Sequence, residues 1–288
     1  MNDYVIVTDS ACDIDLETLA KWNVSCIELT FRFNGDDKEY TNYEIPAVDF
    51  YNKMRSGAVA KTAAVNVQTF SDCFEKHLKE GKDVLNLAFS SGLSTTANSA
   101  RLAAEQLKEK YPDNKVVVVD TLAASAGQGL LVYLAVQKKN GGATLDENAA
   151  YCTETLPTLC HWFTVDDLAY LKRGGRISPA AAFFGNAIGI KPVLHVDNEG
   201  HLVKFDKVRG RKSSIMALAD KFGEQAFDKT GATVFISHGD CLKDAEELEK
   251  ILNEKYGAKV EIITHVGPVI GAHSGPGTLA LFYLGKER

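Results

Sequence analysis

The chain has 288 residues, of which 45% are hydrophobic and 24% are charged, and its formal net charge is −6. This length exceeds what one small core needs, so we expect one large domain or two smaller ones. The negative charge and the lack of Lys/Arg-rich runs argue against a nucleic acid partner, because nucleic acid binding needs a basic face.

Targeting signals and metal motifs are missing from the sequence. The N-terminus reads MNDYVIVTD, where a secretory signal would carry a cationic and then an apolar region. No apolar stretch approaches the roughly 20 residues of a membrane-spanning helix. The six cysteines form no Cys-x-x-Cys pair, and no His stands at zinc-finger spacing from them. We therefore expect a cytoplasmic protein without a metal site and without stable membrane insertion.

The first half of the chain alternates strand and helix patterns. Residues 84–89 and 116–119 are continuous apolar runs, typical of central strands in a parallel sheet that helices cover on both faces. Residues 27–33 alternate apolar and polar side chains, which predicts one half-buried strand. Helices are predicted at about 96–111 and 124–138, and Thr144 to Glu147 reads as a capping box. This α/β pattern predicts a three-layer first domain with a parallel sheet.

The second half predicts a smaller domain with a mixed sheet. Residues 193–196 and 202–205 flank Asp197-Asn198-Glu199-Gly200, which is a hairpin signal. A Gly/Pro-rich loop at 267–277 precedes an apolar terminal strand at 279–284. We expect two α/β domains, residues 1–160 and 161–271, with the strand in the last segment, about 272–288, returning to the first domain.

Common nucleotide and protease motifs do not occur, so the hydroxyl-rich loop Ser90-Ser91-Gly92-Leu93-Ser94-Thr95-Thr96 becomes the first candidate site. It follows a predicted parallel strand and opens a helix. Ligands bind at the carboxyl ends of such strands, and helix N-termini there suit anions. Alternatively, Ser94 or Thr95 serves only as an N-cap, a position where Ser and Thr are favoured whatever the function.

A hydrolase is a second interpretation of the same loop. Gly92-Leu93-Ser94-Thr95-Thr96 is one residue short of a Gly-x-Ser-x-Gly nucleophile elbow, and His273 follows Ser94 as a candidate base. Thr96 replaces the final Gly, and its Cβ would crowd a strained turn. An acyl hydrolase or transferase that uses Ser94 and His273 therefore stays open as the alternative.

Two further loops carry groups that suit anions. His273 lies in the Gly/Pro-rich loop, where glycines permit close backbone approach to a ligand and prolines stiffen the chain. Arg173-Gly174-Gly175-Arg176 places two guanidinium groups on one loop, a geometry suited to phosphate or carboxylate. A second basic cluster spans residues 207–212 and includes Arg209. Either basic cluster could also be a solvated face.

These segments together resemble the bacterial DegV family of fatty-acid-binding proteins. The resemblance covers nearly the whole chain, and its motifs occur in the family's order. The matching segments are Thr8 to Asp13, Ser90 to Ser94, Asp120 with Ser125, Gly127 and Gly129, Leu168 to Ile177, Lys191 to Leu194, and the 267–277 loop.

The resemblance implies a lipid carrier rather than an enzyme. A long-chain fatty acid such as palmitate would be the bound ligand, in a tunnel within the first domain, and no cofactor would be needed. Its carboxylate would lie near Thr62, Ser94, Thr95 and His273. The resemblance also implies a partner, a fatty acid kinase that makes acyl phosphate for phospholipid metabolism, with Arg173, Arg176 and Arg209 facing the kinase or the phosphoryl group.

The sequence departs from the family's pattern after Thr62. Ala63-Ala64-Val65-Asn66 replaces the usual Ser, Gln and Pro, so this loop is more apolar and Thr62 is its hydroxyl donor. Thr95 likewise stands in place of a usual Gly.

The energetics suit a carrier. At about 0.8 kcal/mol per buried methylene, a 16-carbon chain contributes roughly 11 kcal/mol at most. A buried carboxylate costs several kcal/mol unless it is hydrogen-bonded, so hydroxyl and imidazole groups are what such a site needs.

Overall fold

The computed structural model describes residues 3–178 and 189–288. The strands are β1 Tyr4–Asp9, β2 Val24–Ile27, β3 Thr30–Phe33, β4 Tyr40–Thr41, β5 Ala60–Ala63, β6 Asp83–Ala88, β7 Val116–Asp120, β8 Leu159–Thr164, β9 Ile190–Val196, β10 Leu202–Arg209, β11 Thr233–His238, β12 Lys259–His265 and β13 Leu279–Leu284. The helices are α1 Leu16–Lys21, α2 Ala47–Arg55, α3 Val67–Lys79, α4 Thr96–Lys108, α5 Ala126–Asn140, α6 Leu145–Thr155, α7 Ala169–Gly174, α8 Arg211–Gln225, α9 Leu242–Tyr256 and α10 Pro268–Ser274. No helix of these ranges is long and apolar enough to cross a membrane.

The first layered unit is a four-stranded parallel sheet with the strand order β2-β1-β6-β7. Every residue of β1 and β6 is buried, as expected for central strands covered on both faces. Ile6 packs into the same core as α5 and α6, whereas Val7 points to the opposite face, where α3 and α4 lie. The three-layer arrangement predicted from the sequence is therefore confirmed.

The second sheet is mixed, as predicted, and has six strands in the order β10-β9-β8-β13-β11-β12. The predicted hairpin is present, because β9 and β10 pair antiparallel. The expectation that the C-terminal strand returns to the first unit is wrong. β13 pairs antiparallel with β8 and β11, so its apolar residues fill the centre of the mixed sheet. The division at residues 160 and 271 stays a prediction.

Two local predictions also need correction. The alternating segment at 27–33 is split, so that β2 joins the parallel sheet and β3 joins a separate three-stranded sheet with β4 and β5. Glu28 and Leu29 lie between them, and periodicity alone does not reveal such a change of sheet. The Gly/Pro-rich segment is not entirely a loop, because α10 occupies part of it, with Pro268 in its first turn.

Helix α5 lies between the two sheets. It contacts β1 and β6 of the parallel sheet and β8, β11 and β13 of the mixed sheet. Nine of its residues are buried, and its buried positions run around the whole helix, as expected for a central helix. The next helix, α6, begins with the predicted capping box, in which the side chains of Thr144 and Glu147 each accept a hydrogen bond from the other residue's backbone N–H group.

Glycine at position 127 is required for this packing. A Cβ there would overlap the imidazole of His161 on β8 and lie 2.7 Å from Phe282 Cδ1 on β13. Gly141 ends the same helix with a φ of −75°, and the nearest heavy atom to a Cβ there is 3.4 Å away. The two glycines therefore form a matched pair for testing the contact between α5 and the mixed sheet.

We expect Gly127→Ala to lower the free energy of unfolding by about 1–3 kcal/mol, because the extra methyl group overpacks the interface. Gly141→Ala is expected to change the free energy by less than about 0.5 kcal/mol. Urea unfolding followed by circular dichroism measures both. Equal unfolding midpoints for the two variants would contradict the close approach of α5 to β8 and β13.

Candidate functional site

A cavity of about 540 Å³ lies where α5, α10 and the two sheets meet. This volume falls within the range of roughly 300–1,000 Å³ usual for small-molecule sites. The wall is mainly apolar, with contributions from the mixed sheet, from β5 of the three-stranded sheet, from the loops that follow β6 and β7, and from α7 and α10. Its apolar residues are Leu29, Ala63, Ala64, Phe89, Leu93, Ala124, Phe163, Leu171, Val196, Leu202, Val266, Val269, Ile270, Ala280 and Phe282. The cavity is thus shared between the sheets rather than contained in the first unit.

The polar residues expected to bind a carboxylate line this cavity. Thr62 on β5 and His273 on α10 are hydrogen-bonded, with 2.8 Å between Oγ1 and Nε2. Ser94, Thr95 and Arg176 line the same cavity. The structure therefore brings together all four residues expected near the carboxylate, and adds Arg176 to them.

His273 is held neutral by its surroundings. Burial lowers the pKa of His273 to about 4, and the nearby charge of Arg176 acts in the same direction. Its Nδ1 abuts Gly174 and has no hydrogen-bond partner among the described residues. In the tautomer with hydrogen on Nε2, the imidazole donates to Thr62, which leaves the Thr62 hydroxyl free to donate to a ligand oxygen.

The motif Arg173-Gly174-Gly175-Arg176 has a structural explanation. Gly174 allows the imidazole of His273 to approach the end of α7, and any Cβ there would overlap Nδ1. Gly175 caps α7 in the left-handed conformation, with a φ of +70°. The chain then turns so that Arg176 reaches the cavity wall, where its guanidinium donates to the carbonyl groups of Leu93 and Gly174. Neither contact neutralises its charge, so the site attracts anions.

The side chain of Ser94 bonds the first turn of α4 and also lines the cavity. Its hydroxyl accepts a hydrogen bond from the backbone N–H of Thr96 at 3.3 Å and lies 2.9 Å from the Thr96 hydroxyl. The N-terminus of α4 therefore faces the cavity, and its free N–H groups add positive potential there. Thr95 makes no side-chain cap hydrogen bond and is exposed at the mouth of the cavity.

The other two predicted basic residues lie outside the cavity. Arg173 is exposed and its guanidinium lies over the Tyr170 ring, 5.2 Å from the centroid. Arg209 is exposed at the end of β10. Neither lines the cavity, so only Arg176 of the three arginines is placed to meet a bound carboxylate.

The hydrolase arrangement is not formed. Ser94 bonds Thr96 while His273 bonds Thr62, and residues 3–178 and 189–288 contain no hydrogen bond between Ser94 and His273. A nucleophilic serine needs its base within hydrogen-bond reach. Within the same ranges, no group of three His, Cys, Asp or Glu side chains could hold a metal ion.

Sequence reasoning missed several wall residues. Ser125, Ser237 and Ser274 contribute hydroxyl groups to the cavity, and His161 contributes an imidazole. Ser237 and His161 stand on strands of the mixed sheet, and no local pattern reveals which face of a strand lines a cavity. The position of Ser125 before a helix rich in glycine was the available signal, since such a helix can approach its neighbours closely.

Comparison with known proteins agrees with this geometry. Residues 3–286 match the family described as "Uncharacterised protein, DegV family". A DegV domain-containing protein from Clostridium perfringens is 44% identical over 291 residues, covering 100% of this chain and 99% of the relative. A protein from Thermotoga maritima named "Fatty acid-binding protein" is 34% identical over 279 residues, which is 95% of each chain.

A solved structure is also similar. It is a DegV family protein from Thermus thermophilus described by its fatty acid binding, with a TM-score of 0.89 and 28% identity. The similarity covers 99% of this chain and 100% of that one. Two α/β units, the ordered motifs and these full-length matches lead to one assignment: the chain belongs to the DegV family.

Proposed function

We propose that this protein binds one long-chain fatty acid in the cavity and presents its carboxylate to a fatty acid kinase in the cytoplasm. The observation that carries the proposal is the form of the cavity, whose mainly apolar wall also carries Thr62, His273, Ser94 and Arg176. An acyl chain suits the apolar part, because each buried methylene contributes about 0.8 kcal/mol. The relatives named for fatty acid binding support the same ligand.

The polar cluster matches the needs of a carboxylate. Removing a carboxylate from water costs several kcal/mol unless hydrogen bonds or a cation replace the lost hydration. The Thr62 and Ser94 hydroxyls can donate, and the Arg176 guanidinium supplies a charge. Because His273 is neutral, it orients Thr62 without adding a second buried cation.

The surface beside this cluster supports a docking site for the kinase. Leu171 and Arg176 line the cavity, while Arg173 of the same turn is exposed. A partner that docks on Arg173 would therefore lie close to the carboxylate. We infer that Arg173, and Arg209 with it, contributes to binding the kinase or the transferred phosphoryl group rather than to holding the lipid.

We expect Thr62→Val and Ser94→Ala each to weaken palmitate binding about ten-fold, because each removes one hydrogen bond to a buried charge. Arg173→Ala serves as the control and should bind palmitate like the wild type. Isothermal titration calorimetry on the delipidated wild type and the three variants measures the four affinities. Equal affinities for all four proteins would refute the assignment of the carboxylate.

The Arg173→Ala variant also separates the binding of palmitate from its presentation to the kinase. Arg173→Ala, loaded with palmitate, should lower kinase-dependent formation of acyl phosphate several-fold, because a charged contact to the partner is lost. Lys108→Ala changes an exposed residue on α4, away from this turn, and should leave the rate unchanged. If Arg173→Ala supports the wild-type rate at limiting kinase concentration, this surface is not the docking site.

Ligand binding should also change the titration of His273. In the free protein burial depresses its pKa to about 4, whereas a bound carboxylate favours the charged imidazole and should raise that pKa. Binding of palmitate between about pH 4 and pH 6 is then coupled to proton uptake. NMR titration, with the signal assigned through His273→Gln, measures the shift. Hexadecanol has no charge and should leave the pKa low; a palmitate complex with an unchanged pKa would place the carboxylate elsewhere.

A further inference from the structure

A second group of hydroxyls lines the cavity away from the cluster just described. Ser125, which precedes α5, and Ser237, on β11, are 2.8 Å apart between their Oγ atoms. Ser125 Oγ also lies 2.5 Å from Oδ2 of Asp13. Both serines line the cavity, and Asp13 lies behind them, fully buried. The three residues come from three different segments that the fold brings together.

The residues paired with Ser237 across the mixed sheet are apolar. It pairs in register with Ala280 on β13, which pairs in turn with Phe163 on β8. All three line the cavity, as does Phe282, which lies on the same face of β13 as Ala280 and pairs with His161. A hydroxyl pair thus interrupts a largely apolar stretch of the wall, contributed by other segments than β5 and α10, which carry Thr62 and His273.

The hydrogen bonds of this group leave one acceptor unused. Ser125 donates its only hydroxyl hydrogen to Oδ2 of Asp13. The bond between the two serines is therefore donated by Ser237, whose own Oγ accepts no hydrogen bond among the described residues. Burial raises the pKa of Asp13 to about 8, and its bond to Ser125 opposes that rise.

The backbone at Ser125 is strained to keep the hydroxyl in place. Its φ is 55° and its ψ is −150°, a region that only glycine adopts readily. A glycine would satisfy this conformation and would still be accepted before the first turn of a helix. A serine at this position therefore costs backbone strain that a glycine would avoid. Strained residues of this kind cluster at functional sites.

We propose that the Ser125–Ser237 pair is a second polar subsite, which recognises an oxygen atom on the acyl chain itself, such as the hydroxyl of a hydroxy fatty acid. The subsite supplies the unused acceptor, Ser237 Oγ, and a hydroxyl group along the ligand's chain supplies the donor. This inference rests on the proposed function, because the ligand enters with its carboxylate at Thr62. An unsubstituted chain would leave that acceptor unpaired in the cavity wall.

The test compares stearate with a series of hydroxystearates that differ only in the position of the hydroxyl. At one position or a few neighbouring positions, the wild-type protein should bind the hydroxy acid roughly three- to ten-fold more tightly than stearate, because one hydrogen bond is gained. Competition against a fluorescent fatty acid measures all affinities under one condition.

Two variants and one control assign the preference. Ser237→Ala should abolish the preference, and Ser125→Gly, which removes the partner that orients the Ser237 hydroxyl, should weaken it; both variants should still bind stearate. Ser125→Gly should fold because glycine suits that backbone. Thr62→Val should weaken stearate and hydroxystearate equally, so that the ratio of their affinities stays as in the wild type. Thermal unfolding confirms that each variant is folded.

The outcomes separate this inference from the proposed function. If the wild type binds stearate but prefers no hydroxy acid, the second subsite is refuted and the carrier function stands. A preference that persists in both Ser125→Gly and Ser237→Ala would also refute it, because another group would then be responsible. If neither stearate nor any hydroxystearate binds, the carrier function fails together with this inference.

Discussion

The close packing of α5 between the two sheets is the constraint on which the site depends. Gly127 lets the helix approach His161 and Phe282 of the mixed sheet, and Gly129 lets it approach Ile14 and the carbonyl of Cys12. A larger residue at position 127 would push the mixed sheet away from the helix, and one at position 129 would push away the segment that follows β1. Ala124 and Ser125, just before α5, line the cavity, so these contacts help to fix that part of its wall.

Under the proposed function, the location of the cavity accounts for the burial of a lipid whose reactive end stays exposed. The parallel sheet contributes the β6–α4 loop and the helix N-terminus, which favour an anion. The mixed sheet contributes much of the apolar wall, and α10 brings His273 against Thr62 of the three-stranded sheet. Neither the parallel nor the mixed sheet alone supplies both parts, so the proposed binding requires that they stay together.

Sequence patterns predicted the parts of this protein that depend on local order. Continuous apolar runs marked β6 and β7, the capping box marked α6, and the family resemblance singled out Thr62, Ser94 and His273, all of which line the cavity. The patterns failed where distant segments meet. The position of β13 depends on its pairing with β8 and β11, and Ser237 reaches the cavity only through that sheet's register. Arg173 and Arg176 share one motif, yet only the fold shows that they face different surroundings.

The central claim, that the cavity holds one fatty acid, is tested most directly by native mass spectrometry of the protein purified from cells without added lipid. We predict a mass excess of one fatty acid per chain, released on denaturation. An empty protein that also fails to take up palmitate or oleate would contradict the claim, because a cavity of this form should then have another ligand.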